Sequence, residues 1–368
     1  MTQAAILAAS GSPGTTTGFK NRIINGAMVI DQRNNGASST CGADQTFITD
    51  RFSVRNNTTL TNKISAQQNQ GSVTAPAGFT NYLGVTSQSA YSVATGDYFA
   101  IQQSVEGFNS ADLNFGTSNA KTITISFWVR SSLTGTFGGA LGNGAYNRSY
   151  PFTYTISAAN TWQQISITIP GDTTGTWVGA TNGTGLQLFF GLGVGSSNSA
   201  TAGSWQAVGA VSATGATSVV GTSGATFYIT GVQLEVGTTA TNFDFRSYGT
   251  ELQLCQRYYY QHASYAFTGG AATIGLVAFN TATDGRIMLT LPTTMRTYPS
   301  LVQGSGSNYY IMFCNSNNSY FSSFTGITSQ TQQTAELYIQ GASALTAGFA
   351  GYSQCQNAGS FIAFSAEL

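Results

Sequence analysis

Charge is what this chain has least of. Only 7% of its 368 residues are Asp, Glu, Lys or Arg, against about 25% in ordinary soluble domains. The 13 acids and 13 bases cancel and form no like-charge run. That excludes the basic stripe with which a nucleic-acid binder or an anionic-membrane binder grips phosphate. A surface hydrated through neutral hydroxyls and amides also lets copies pack together without stripping water from ions. Self-assembly is therefore expected. No apolar run approaches the roughly 20 residues of a membrane-spanning helix. MTQAAILAAS has no Lys or Arg ahead of its short apolar core, so it does not read as a secretory signal.

Histidine and cysteine are scarce too. The cysteines, Cys41, Cys255, Cys314 and Cys355, show no CxxC spacing, and His262 stands alone. No metal site and no cofactor is expected from such a set. Cys255 is expected to be a small buried hydrophobe, and a Cys314–Cys355 bridge is conceivable because both lie in the same half. A Ser–His–Asp hydrolase would have to use His262, read here as a surface residue at a hinge, and no GxSxG accompanies it. Gly191-Leu-Gly-Val-Gly195 has no following helix, which removes the mechanism of a nucleotide loop. Glycan hydrolysis needs two carboxylates roughly 5–10 Å apart, yet no Asp/Glu pair sits at i, i+2. Glu235, Asp244, Asp31, Asp44 and Asp50 are expected to bind loop amides or pair with an arginine such as Arg246. No catalytic residue is assigned.

What is abundant is glycine, with 44 residues, and short alternating runs. In Lys121–Arg130, Ile123, Ile125, Phe127 and Val129 occupy one face and Thr122, Thr124, Ser126 and Trp128 the other, which predicts a strand with one buried face. Gln163–Pro170 repeats the device with Ile165, Ile167 and Ile169 inward, before a turn at 171–175. Gly185–Val194 reads as a strand buried on both faces or bent at a bulge, and Phe227–Val236 ends the unit. Ile23, Ile24, Met28 and Ile30 are apolar anchors, with turns at Asn25-Gly26 and Asn34-Asn35-Gly36 that tolerate positive φ. Asp31, Arg33, Asp50 and Arg51 are expected to pair with one another.

Thr250 and Gln253 form a capping box. It opens a short helix of about three turns, with Leu252, Cys255 and Tyr259 on one face and Leu254 and Tyr258 on another. Strands return at Ala272–Phe279, Arg286–Leu291, Tyr309–Cys314, Glu336–Gln340 and Ser360–Leu368. The chain divides into an arm at 1–18, a β-sandwich at 19–246, a linking helix at 247–262 and a smaller β unit at 263–368. With 18 Tyr, 23 Phe and 4 Trp, rings able to stack on sugar faces are plentiful. Trp128 and Trp162 are read as packing residues, and Trp177 and Trp205, among Gly/Thr-rich turns, as exposure candidates. Tyr309, Tyr310, Phe313, Tyr320, Phe321 and Phe324, interleaved with Asn315, Asn317 and Asn318, form the densest cluster and suit a neutral receptor surface.

Two segments carry a resemblance. KNRIINGAMVIDQRNNG, followed by DRF at 50–52, and GVQLEVGTTATNFDFRSYGTELQLCQRYY at 231–259 resemble motifs of bacteriophage tail-fibre and virion-appendage proteins. LPTTMRTYPSLV and the terminal FSAEL are similar to the ends of such proteins. The resemblance implies an all-β jelly-roll body like those of carbohydrate-binding modules and a C-terminal β-sandwich for host attachment. It also implies a homotrimer, with Tyr258, Tyr259 and Tyr260 meeting their copies near the axis. The arm would dock on another virion protein, the partner would be a host cell-surface glycan, and the protein would reside in the phage particle. The alternatives are a head-decorating or neck/tail structural protein without receptor binding, and a capsular-polysaccharide depolymerase.

Overall fold

The computed structural model describes residues 20–368 apart from positions 43, 58, 59, 315, 316, 343 and 344. The arm at 1–18 and Asn315 lie outside the described residues. Two six-stranded antiparallel sheets make the first unit. One runs, in spatial order, Ser39–Thr40, Ile64–Gln68, Leu83–Ser87, Thr226–Val236, Ile123–Ser131 and Gln163–Ile169. The second runs Asp44–Thr49, Phe52–Asn56, Tyr98–Glu106, Thr184–Val194, Gly135–Asn143 and Ser149–Ile156. Each sheet collects strands from distant parts of the chain, which is the jelly-roll arrangement of a double-sheet sandwich.

Alternation explains the core between the sheets. Ile123, Ile125, Phe127 and Val129 are all fully buried, and Phe127 meets Phe190 of the opposite sheet edge-on at 4.9 Å between ring centres. The other face of this strand is not open as its pattern implied: Thr124 and Ser126 are buried as well. A central strand is flanked on both sides, and the turn after Val236 folds over it, the Thr124 hydroxyl donating to the Gly237 carbonyl at 2.9 Å. At the sheet edge the burial of Gln163–Ile169 is weaker, only Ile169 being sealed. Thr184–Val194 is both buried and bulged, with a register shift between Gly191 and Gly193.

The C-terminal unit has its own core. A seven-stranded sheet runs Asn317–Phe321, Tyr310–Cys314, Ala350–Cys355, Ala272–Phe279, Asp284–Thr290, Thr334–Gln340 and Gly326–Thr328. Tyr259–Ser264, Phe361–Ser365 and Ser300–Gln303 form a three-stranded sheet. The conceivable Cys314–Cys355 disulfide is absent: all four cysteines are free and buried. Cys355 lies opposite Tyr310, four positions along the strand from Cys314, which is too far for a bridge.

The linking helix is shorter than expected and starts earlier. It spans Tyr248–Gln256 with Ser247 at its N-cap, so Thr250 is a helical residue that shares a hydroxyl contact of 2.8 Å with Ser247. Residues from Tyr259 onward are strand, and His262 sits within that strand, its Nε2 at 2.7 Å from the Ile274 carbonyl, rather than at a surface hinge. The N-terminal segment packs Ile24 and Ile30 against Cys255 and Tyr258.

The charges of that segment do not pair with one another. Asp31 accepts backbone N–H groups of Asn34 at 3.0 Å and Gly36 at 2.7 Å, and Asp50 accepts that of Gln32 at 2.9 Å. The two carboxylates are spent on shaping loops. Arg33 and Arg51 cross instead to Glu367, Arg33 at 2.8 Å. Their guanidiniums also lie over the rings of Tyr259 at 3.5 Å and Tyr258 at 3.6 Å. Tyr258 and Tyr259 are therefore interior, at 0% and 2% exposure, and have no face left for a second copy. Tyr260 is half-buried and stacks on Phe364.

Because Arg51 is buried, Glu367→Ala should leave an unpaired interior cation and cost about 3–5 kcal/mol, read as a fall in unfolding free energy. Burial pushes the Asp50 carboxyl from 3.8 up to about 6, against the hydrogen bonds of Gln32 and the pull of Arg33. An acid that holds its proton more tightly when folded loses stability as pH rises between those two values. Asp50→Asn should flatten that decline in a denaturation series across the same pH range.

Candidate functional site

The second sheet turns one face into the core and the other outward, and the outward face is not ordinary surface. Along Tyr98–Glu106 the inward residues are Phe99, Ile101 and Val105, which leaves Tyr98, Ala100, Gln102 and Ser104 outward. On the neighbouring strand Gln187 and Phe189 point the same way, Phe189 directly opposite Gln102. Gln102 and Gln187 are 2% and 3% exposed, so their amides must find partners. Gln102 Nε2 donates to Gln187 Oε1 at 2.7 Å, and Arg55 Nη1 donates to Gln102 Oε1 at 3.2 Å. The result is a row of guanidinium and amides running across three strands.

Glycine lets a strap cover part of this face. Gly138 and Gly191 present no side chain where Ser212 lies, its Oγ only 2.6 Å from the position a Cβ would take on either. The strap carries Asn198, Gly209 and Val211 over the sheet, Val211 packing on Ala100 and Phe189. Opposite it stands Tyr146, in the turn between Gly135–Asn143 and Ser149–Ile156. Tyr146 has φ of 54°, a left-handed conformation that a bulky residue adopts only when its surroundings impose it. The imposed direction sends its ring toward Phe189, 6.1 Å between centres, and leaves it 44% exposed.

Together Arg55, Tyr98, Tyr146, Phe189, Asn198 and Val211 enclose an open cavity of about 280 Å³, near the lower limit of about 300 Å³ for small-molecule sites. It has rings on two sides and hydrogen-bonding groups on the floor. Burial raises the pKa of the Tyr146 phenol, against the pull of Arg55 and of the Gln102 and Gln187 amides, so it remains a neutral donor. Arg55 is held cationic: burial works against its charge, and Tyr146, Asp44 and Tyr98 outweigh that effect. No carboxylate lines the cavity among the described residues; Asp44, which meets Arg55 Nη2 at 3.0 Å, is largely exposed beside it. No group of three metal-ligating side chains occurs among the described residues.

None of these residues stood out in the sequence. The available signal was the polar break Gln102–Gln103 inside an apolar strand, together with Gln187 inside the apolar run 185–194. The aromatic candidates chosen from sequence fare unevenly. Trp177 and Trp205 pack edge-on at 5.4 Å, and both meet Phe115. Their ring N–H groups are already spent, Trp205 on the Pro170 carbonyl at 2.7 Å and Trp177 on Asp172 at 3.2 Å. Asp172 in turn is gripped by Arg148 at 2.6 and 2.7 Å. The pair is half-buried and pins surface loops to the body.

In the C-terminal unit Tyr310, Phe321 and Phe324 are interior, at 0%, 9% and 2% exposure. They form one aromatic knot in which Phe321 and Phe324 meet at 5.0 Å. They cannot touch a ligand, which corrects their assignment. The segment is a hairpin rather than a loop, so its side chains alternate between faces. Tyr309 is half-buried, while Tyr320 is 48% exposed on the outer face. There Phe313 stacks on Tyr352 at 4.4 Å, and Tyr352 lies opposite the exposed Leu276. A flat apolar row across the sheet replaces the expected loop cluster.

No protein-family model matches the chain, and no curated protein matches it. Solved structures share the β architecture distantly. The enzymatically active domain of tailspike protein 4 from bacteriophage CBA120 aligns with 59% of this chain and 21% of its own, at 13% identity and a TM-score of 0.29. A family 11 carbohydrate-binding module from Clostridium thermocellum, in complex with a β-1,3-1,4-mixed-linked tetrasaccharide, aligns with 55% of this chain and 100% of its own, at 11% identity and a TM-score of 0.27. TmCBM61 in complex with β-1,4-galactotriose aligns with 50% of this chain and 88% of its own, at 10% identity and a TM-score of 0.26. This chain thus spans about a fifth of the tailspike domain's length. Scores this low carry no functional argument; the jelly roll rests on strand order.

Proposed function

We propose that this chain is a glycan-binding structural protein of a bacteriophage particle, a tail fibre or similar appendage that attaches to the host surface as a homotrimer. The observation that carries the binding half of this reading is the outer-face cavity. Two phenol rings and a phenylalanine offer surfaces for the apolar face of a sugar. The Arg55 guanidinium, the Asn198 amide and the Tyr146 hydroxyl offer hydrogen bonds to its hydroxyls. A volume of about 280 Å³ holds one ring-shaped residue, so a single site is weak. Repetition over copies and particles supplies the avidity. The KNRIINGAMVIDQRNNG and YGTELQLCQRYY segments support the phage half.

Binding without hydrolysis is the reading favoured over a depolymerase. The cavity wall supplies a cation and neutral donors, whereas glycosidic cleavage needs two facing carboxylates. Exposed Tyr146 beside this cavity favours adhesion over a head or neck decoration role.

The test is a bacterial glycan panel, followed by calorimetric titration with the best oligosaccharide it returns. Tyr146→Ala should lower affinity about tenfold in a variant that still unfolds in one cooperative transition, with no fragments released from the glycan. A protein that retains no glycan, or a variant that binds as the parent does, overturns the reading. Light scattering should give the mass of three chains; a monomer removes the trimeric fibre and leaves a particle-assembled scaffold.

A further inference from the structure

A second cleft opens where the jelly-roll body meets the C-terminal unit. Its volume is about 370 Å³, and its walls include Phe108 and Asn182 from the body, Arg257 from the end of the helix, and Arg296 and Gln332 from the C-terminal unit. The two arginines are tied together through their backbone, Arg296 N donating to Arg257 O at 2.8 Å, but their electrostatic situations differ. Arg257 is neutralised by Glu106, with contacts at 2.9 and 2.5 Å. Arg296 faces only carbonyls: Nε donates to Ala366 O at 2.7 Å, Nη1 to Asn182 O at 2.9 Å and Nη2 to Glu367 O at 2.6 Å.

Carbonyl oxygens satisfy N–H groups without cancelling charge. A guanidinium has five N–H donors, so two remain without an acceptor among the described residues. The nearest carboxylates are already engaged by other arginines, Glu367 by Arg33 and Arg51 and Glu106 by Arg257. Burial lowers the pKa of Arg296, and nearby Arg51 adds to that effect against the opposing pull of Glu106, Tyr258 and Glu367, so the cation sits where an additional negative charge is favourable. At the lip stands Phe108, 57% exposed, a ring that also borders the neighbouring cleft containing Arg22 and Arg246.

We propose that this cleft binds the carboxylate of an acidic sugar residue, with Arg296 as the ion partner and Phe108 stacked against the sugar ring. The cation explains the anion, and the exposed ring explains why the anion is carried on a ring-shaped apolar face. Free phosphate would satisfy Arg296 and leave Phe108 without a role. The choice of sugar rests on the glycan-binding reading; the oxyanion site stands without it. Acidic polysaccharide would then be read at two places, hydroxyls and ring faces in the sheet cavity and charge at the junction.

The 368-residue chain is titrated calorimetrically with a glucuronic-acid trisaccharide, the matching neutral glucose trisaccharide, and inorganic phosphate, each at low and high salt. The acidic trisaccharide should bind about tenfold more tightly than the neutral one at low salt, and the advantage should shrink at high salt as the ion pair is screened. Arg296→Gln should abolish the advantage. That change also loosens the contacts to Ala366 and Glu367, so Phe108→Ala serves beside it; the exposed ring can be removed with no change in unfolding temperature. Phe108→Ala should weaken the acidic trisaccharide several-fold and leave phosphate untouched. Tyr146→Ala should keep the charge-dependent advantage, which separates failure of this site from failure of the sheet cavity. Equal affinity for acidic and neutral trisaccharides, phosphate binding without trisaccharide binding, or parental behaviour of both cleft variants overturns the proposal.

Discussion

Glu367 receives both Arg33 and Arg51, and each of those guanidiniums also lies over a tyrosine ring, Arg33 over Tyr259 at the start of the strand that follows the helix and Arg51 over Tyr258 in the turn before it. The N-terminal segment, the junction and the C-terminal end thus meet at a single carboxylate. Nearby, Glu106 accepts Arg257 and the Tyr258 hydroxyl at 2.7 Å. Burial opposes the ionisation of Glu106, but these partners outweigh it and hold the carboxyl below its usual range. Charges taken out of water stabilise only when their geometry is good, and here most donors and acceptors are matched. An apolar seam would have tolerated sliding; a set of directional ionic contacts admits one orientation of the two units. In a chain with so few charges, this concentration accounts for why the charged motif residues lie so far apart in sequence.

Fixing the junction leaves the outer faces of the sheets as the surfaces a large ligand would meet. On the second sheet of the body that face is prepared rather than bare. Gly138 and Gly191 clear the path for the strap, and a Cβ on Gly209 would collide with the Tyr146 carbonyl, so the strap and the tyrosine turn hold each other. The left-handed Tyr146 stores a cost of roughly 1–2 kcal/mol that the rest of the turn must offset. Asn143 does so, its side-chain oxygen accepting the N–H groups of Asn147 and Arg148 at 3.2 Å each.

Much of the fold was legible and most of the site was not, for one reason. Strand recognition depends on period alone, so Ala272–Phe279 emerged with its observed limits and the alternation at 123–129 identified the core face. Site recognition depends on which strands become neighbours. Arg55, Gln102 and Gln187 are far apart in sequence and meet only through sheet register. The ion pairs failed likewise: proximity in sequence favoured Asp31 and Asp50 as partners of Arg33 and Arg51, whereas the fold brought Glu367 across more than three hundred residues. The helix start failed more locally. Thr250 with Gln253 matched the capping pattern, but Ser247 lay in extended backbone at the true first turn, its carbonyl accepting the N–H of Glu251 at 3.0 Å.

Aromatic abundance misleads for a related reason. In a hairpin, successive side chains alternate between faces, so a cluster of rings in sequence divides in space. Tyr310 and Phe321 turn into the C-terminal core, while Phe313 and Tyr320 turn outward. The sealed rings supply stability, and the outward ones join Tyr352 and Leu276, residues that sequence proximity never connects to them. The same division separates Phe189, which lines the body cavity, from Phe190, which is fully buried against Phe127. A shift of one residue in the register of Thr184–Val194 would exchange those two rings and reverse Gln187 as well. The register shift at Gly191 and Gly193 takes up the extra residue beyond Phe190, where the strap crosses, and leaves continuous pairing through Gln187 and Phe189. The cavity thus depends on the glycines that break the strand as much as on the rings that line it.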